Sequence, residues 1–158
     1  MRLPAPSALV SIKTPVDQGD AFHFTVPVNL GSIFTGWGPL PAVTETTDQT
    51  GAWDTVGQTR TVWLSDGSYA QERLTGYRSP LHFTYTVTPQ TGMLSLLVRE
   101  ARGAWWFLPD SGGGTEIWWQ YDFHPRTPWA WLPLAFISVL WQAYMKRALH
   151  LLVRQLEK

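Results

Sequence analysis

The chain contains no cysteine, which excludes disulfide cross-links, thiolate nucleophiles and cysteine-ligated metals and leaves a reducing cytoplasm as the expected location. Charge is sparse and balanced: Lys and Arg number 12, Asp and Glu 12, and the four together make up 15% of the residues. No basic surface follows from that composition, so nucleic acid is not expected as a partner. Long apolar runs are also missing. The most apolar stretch, Trp129 to Trp141, falls short of the roughly 20 residues that a membrane span needs, and it contains Pro133. It reads as buried helix. The start, Met1-Arg2-Leu3-Pro4-Ala5-Pro6-Ser7, has neither the apolar core nor the small-residue cleavage site of a signal peptide. Catalytic signatures are absent too. There is no Gly-x-Ser-x-Gly elbow, and Ser111-Gly112-Gly113-Gly114 lacks the Gly-Lys-Ser/Thr ending of a phosphate loop. His23, His82, His124 and His150 are scattered without metal-ligand spacing, so neither a metal nor a cofactor is expected.

What the chain has in excess is tryptophan, 10 residues in 158. Large rings with one polar edge suit a wall that is apolar but must offer an occasional hydrogen bond. At this length the chain is expected to form one domain over residues 1–158, large enough to bury a core without metals or cross-links.

Periodicity gives the elements. Ala8 to Thr14 reads as a first strand that ends before Pro15. Asp17 to Phe34 reads as two short helical pieces, with Asp20 as N-cap and with Pro27 and Gly31 preventing one smooth helix. Gly36-Trp37-Gly38-Pro39-Leu40-Pro41 is a loop that places a ring between two glycines, as at a mobile mouth. Short strands follow from Ala42. Asp66-Gly67 suits the two central positions of a type I′ hairpin turn. That turn would set Trp63 opposite Ala70, Thr61 opposite Glu72 and Thr59 opposite Leu74, with Trp63 and Leu74 taken as facing inward. Phe83 and Tyr85 share the inner face of the next strand, Leu94 to Leu108 is a longer strand with a bulge expected at Gly103, and Ile117, Trp119, Tyr121 and Phe123 alternate with polar residues on the last. Thr127 and Pro128 open a terminal helix whose apolar positions recur through Leu152.

Within that order, Gly38-Pro39-Leu40-Pro41-Ala42-Val43, Trp53 to Arg60, Leu64 to Ser68, Ala101 to Trp105, Thr115 to Tyr121 and Trp141 to Leu149 resemble the bacterial polyketide cyclase/dehydrase-like branch of the SRPBCC superfamily. That superfamily also holds the START lipid-transfer domains and the birch-pollen-allergen fold. The resemblance runs from about Ala8 to Leu152. It implies an α+β helix-grip fold, a curved antiparallel sheet of about seven strands wrapped around a long C-terminal helix, with two short helices after strand 1. It also implies a cavity. Members of the superfamily bind lipids, sterols, polyketides or plant hormones and only some are catalysts, so fold alone does not decide activity.

The candidate site follows from both lines. Glu72, projecting into an aromatic cavity if the hairpin face is as taken, is the candidate general acid or base, with Thr61 and Trp63 beside it to orient a ligand; the other reading is that it lies outside or pairs with an arginine. Trp37 at the mouth, Phe83, Tyr85, Trp105, Trp119 and Tyr121 on the strands and Tyr144 on the helix are the candidate ligand-binding rings. Arg60 falls on the opposite face of the hairpin, suited to an anion at the rim or to an ordinary strand salt bridge. Trp129, Trp131, Leu132 and Phe136 form an apolar patch that suits a homodimer contact or a peripheral membrane contact, the homodimer being favoured because the nearby polar face is not strongly basic. Three functions remain open: binding of a hydrophobic or amphipathic small molecule, whether lipid, polyketide or aromatic metabolite; a cyclase or dehydratase acting on a polyketide-like substrate; and a protein-interaction module. A cavity lined only by apolar and hydroxyl groups favours the first, a buried ionisable group the second, and a filled interior the third.

Overall fold

The computed structural model describes residues 3–158; Met1 and Arg2, on which the signal-peptide reading partly rests, lie outside the described residues. Seven strands form one antiparallel sheet in the order β1-β7-β6-β5-β4-β3-β2. They are β1 (Ser7–Thr14), β2 (Val43–Thr47), β3 (Thr59–Leu64), β4 (Tyr69–Arg78), β5 (His82–Pro89), β6 (Val98–Pro109) and β7 (Thr115–Pro125). Between β1 and β2, which lie at opposite edges, the chain crosses through helix α1 (Gln18–Thr25) and a single 3-10 turn, Leu30–Ser32. A five-residue helix α2 (Met93–Leu97) precedes β6, and α3 (Trp131–Leu156) closes the molecule. This is the helix-grip arrangement expected from the sequence.

Local chemistry accounts for the boundaries, with some corrections. Asp17, rather than Asp20, caps α1: its carboxylate accepts the Asp20 amide at 2.8 Å, leaving Asp20 inside the first turn. Thr127 precedes a 3-10 turn, Pro128–Ala130, and its hydroxyl caps nothing, so the regular helix starts at Trp131. Leu94–Leu97, read as the beginning of a strand, belongs instead to helix α2, which starts after Gly92 at φ +84°. No bulge occurs at Gly103. It pairs in register with Tyr85 and Tyr121, and a Cβ there would overlap the Tyr85 ring, so the glycine makes room for that ring instead of bending the strand.

The β3–β4 hairpin departs from expectation in a way that matters for function. The Leu64 amide bonds to the Ser68 carbonyl at 2.9 Å, and Gly67 alone has positive φ, at +87°, so the loop is Ser65-Asp66-Gly67 and not a two-residue turn. The register therefore moves by one residue. Arg60 stands opposite Glu72, Val62 opposite Ala70 and Thr61 opposite Gln71. Because side chains alternate, the correction reverses β3 and leaves β4 as expected. Arg60 and Val62 join Glu72 inside, while Thr61 and Trp63 lie on the outer face, where Trp63 Nε1 donates to Thr47 Oγ1 at 2.9 Å and its ring meets Tyr69.

The core is divided. Where α3 packs along β1 and β7, large side chains fill the interface: Phe107, Ile117, Trp119, Leu134, Tyr144, Met145, Leu149 and Leu152 are fully buried. Toward β3, β4 and the ends of β5 and β6 nearest α2, the inner face carries Val62, Ala70, Val87 and Ala101, and α3, which packs on β1 and β7, stands off from it. Small residues under an uncovered stretch of curved sheet leave a hollow.

Candidate functional site

That hollow has a volume of about 590 Å³, within the roughly 300–1,000 Å³ usual for small-molecule sites. Its far wall is aromatic. Phe83, Trp105 and Trp119 stack across three strands, with Trp105 and Trp119 4.3 Å apart between centroids, and Tyr85, Tyr121 and Tyr144 complete the lining. Phe34 and Trp141, which the sequence reading did not single out, bridge this wall to the helix: Phe34 packs edge-on against Trp119 and Tyr144 and stacks on Trp141. Thr61 and Trp63 do not line the cavity, for the register reason above. Nor does Trp37, whose half-buried ring packs against the core beside the cavity, while Pro39, Leu40 and Pro41 of the same loop line it.

One polar cluster interrupts the apolar wall. Arg60 and Glu72 are cross-strand partners, 8% and 7% exposed. Glu72 Oε1 accepts from both Arg60 Nε at 2.9 Å and the terminal guanidinium nitrogen at 2.8 Å. The guanidinium carbon lies 4.0 Å from the centre of the Trp53 ring, a cation–π contact worth about 2 kcal/mol once desolvated. Trp53 adopts the left-handed region, φ +61°, which is uncommon for a bulky side chain and is held here by complete burial of the ring. Trp53 is the residue of this cluster that sequence reasoning did not place; Arg60, expected on the opposite face as a rim anion site or an ordinary strand salt bridge, lies inside and makes the salt bridge. Counting a three-residue loop in the hairpin would have found Arg60; nothing local marks Trp53.

Beside the ion pair, Tyr85 accepts a hydrogen bond from Trp119 Nε1 at 3.1 Å. Burial raises the Tyr85 hydroxyl far above the usual phenol range, and the Glu72 charge adds to it; burial does the same for Tyr121, assisted by Tyr85 and then Glu72. Both phenols are therefore neutral at any physiological pH and serve as hydrogen-bonding groups, not as bases. Thr25 Oγ1, at the cavity's edge, is buried and has no partner among the described residues.

Tyr144 ties the cavity to its rim. Its hydroxyl donates to the Pro41 carbonyl at 2.8 Å and accepts from the Gly36 amide at 2.9 Å, pinning both ends of the 36–41 loop to the middle of α3. The histidines stay apart: His82 Nδ1 donates to the Trp105 carbonyl, His23 meets Ser79, His124 lies on β7, and His150 is exposed on α3.

A family model described as polyketide cyclase / dehydrase and lipid transport matches residues 28–157. The chain belongs to that family. Solved structures with the same fold include Ara h 8.0201, at 17% identity and TM-score 0.69 over 95% of this chain and 96% of that one. A protein from Arthrobacter aurescens matches at 15% identity and TM-score 0.70, over 97% and 87% of the two chains. DynU16, from the dynemicin biosynthetic locus, matches at 14% identity and TM-score 0.59; 98% of this chain aligns with 48% of that longer one. No curated protein matches the sequence. Identities this low carry the family's fold and leave the ligand to be argued from the cavity.

Proposed function

We propose that the protein binds a hydrophobic or amphipathic small molecule, a lipid, polyketide or aromatic metabolite, inside the grip of sheet and helix. The observation that supports this best is a mostly apolar hollow of about 590 Å³ in which the two buried charged side chains on the wall, Arg60 and Glu72, are committed to each other. An apolar body would fill the space over Val62, Ala70, Val87 and Ala101, and a hydroxyl or carbonyl on the ligand would meet the Arg60–Glu72 pair or the phenols of Tyr85 and Tyr121. Apolar surface provides the affinity, and the cluster fixes which end goes in first.

A second reading is a cyclase or dehydratase with Glu72 as the proton-transfer group, and the presence of a carboxylate on the cavity wall favours it. Against it, one Glu72 oxygen is already committed to Arg60. The phenols are held protonated and are poor bases.

The test is native mass spectrometry of protein purified from its own host, together with titration by an environment-sensitive apolar fluorophore. Retention of a small molecule, or one-to-one probe uptake that Ala101→Phe abolishes without loss of fold, is the expected result. A protein that retains nothing, and whose probe binding is indifferent to Ala101→Phe, would overturn the reading. Glu72→Gln separates the two functions: altered ligand preference with binding retained belongs to a carrier, and lost turnover of a bound polyketide-like compound belongs to an enzyme.

A further inference from the structure

The cavity opens between α2 and the first half of α3, and that opening has an apolar rim. Met93 on α2 and Phe136 on α3 both line the cavity and yet are 74% and 66% exposed. Leu132 and Val139, on the Phe136 face of α3, together with Leu96 on α2 and Trp129 just before α3, are exposed to a similar degree. Leaving such side chains in water beside one another is unusual for a monomer and marks a contact surface.

The charge along α3 identifies what the surface contacts. At about 3.6 residues per turn, Leu132, Phe136 and Val139 share one face with Lys146, Arg147, His150 and Arg154, all of them exposed. Between Trp131 and Leu156 the helix has no Asp or Glu. Arg126, also exposed, donates to the Ser95 carbonyl and so stands next to Leu96 at the other side of the opening. In a chain of zero net charge, one face of α3 thus combines exposed aliphatic and aromatic side chains with Lys146, Arg147 and Arg154, while the carboxylate that follows the helix, Glu157, accepts from Thr14 Oγ1 of β1. Asp66 at the hairpin tip, an exposed carboxylate that also lines the cavity, is engaged by Ser68 through both its amide and its hydroxyl.

We infer that this face docks on an anionic lipid surface, with Met93, Leu96, Trp129, Leu132, Phe136 and Val139 in the headgroup layer, the α3 cations on the phosphates, and the cavity opening turned toward the bilayer. A second copy of the chain, the partner expected from the apolar patch alone, would cover the apolar residues but bring no anion to the cations. A lipid surface satisfies both. Docking needs no occupant in the cavity, so it is measured independently of ligand binding.

The experiment is co-sedimentation of the full chain with vesicles of phosphatidylcholine alone and of phosphatidylcholine with about one-third phosphatidylserine. Because each surface cation contributes roughly a fivefold gain in affinity for anionic membranes, partitioning onto the serine-containing vesicles should exceed that onto neutral ones by tenfold or more and fall with added salt. Lys146→Glu with Arg147→Glu should abolish the preference for anionic vesicles, and Leu132→Ser with Phe136→Ser should weaken binding to both kinds, each variant keeping the circular dichroism spectrum of the parent. Equal partitioning onto the two vesicle types, no partitioning at all, or a stable dimer at micromolar concentration that Phe136→Ser splits into monomers, would overturn the inference.

Discussion

Arg60 and Glu72 illustrate how little of a residue's role its type reveals. On a two-residue hairpin turn Arg60 is a surface cation and Glu72 a lone carboxylate facing threonine. With one more residue in the loop they become a buried pair beneath Trp53. A pair of this kind is costly to break and cheap to replace. Removing one partner strands the other in an apolar wall at about 3–5 kcal/mol, whereas substituting both by apolar residues of similar volume is close to neutral. Arg60→Met and Glu72→Leu alone should each lower the midpoint of urea unfolding sharply, and the double variant should recover most of the loss. The same double variant should lose discrimination among ligands that differ in a polar end group. Additive destabilisation in the double variant would mean that the two side chains do not depend on each other.

At the level of elements, the strands with clean alternation were legible in the sequence: Leu81 to Val87 and Ile117 to Phe123 point the way their pattern says. Their rings Phe83, Tyr85, Trp119 and Tyr121 reach the cavity, as does Trp105 on β6. Alternation is enforced by burial on one side, so it survives in the sequence. The hairpin was harder because Asp-Gly fits two turns, one with both residues at positive φ and one with only the glycine there, and β3 carries no clear apolar face to choose between them. The orientation of β3, and with it Thr61 and Trp63, therefore went the wrong way. Trp37 was misplaced for a different reason: in a loop, side-chain direction depends on tertiary contacts, here the two hydrogen bonds to Tyr144. Those bonds make a prediction of their own. Tyr144→Phe leaves the cavity lining apolar but frees the 36–41 loop, so the exchange rate of a bound probe in stopped-flow should rise while equilibrium affinity changes little. An unaltered exchange rate would show that the loop is held by packing alone.

At the level of the whole molecule, large side chains cluster where α3 meets β1 and β7, and small ones lie where the helix stands off, so stability and vacancy occupy separate regions. Ionisable groups inside the hollow link the two. The Tyr85 and Tyr121 phenols are raised in the folded state, chiefly by burial, above the ordinary value of 10.0. A raised phenol contributes stability that is intact below pH 10 and is lost as pH climbs through its folded value, because the unfolded chain ionises first. On alkaline titration, phenolate absorbance from these two residues should appear together with loss of circular dichroism and not before it. Full ionisation of every tyrosine in a still-folded protein would contradict their burial.

The stacked indoles of Trp105 and Trp119 form part of the cavity wall. Two chromophores so close share their excited state, and a molecule laid over them alters it directly. On the proposed function, the same rings that shape the space would give an optical gauge of its occupancy, read without an attached label.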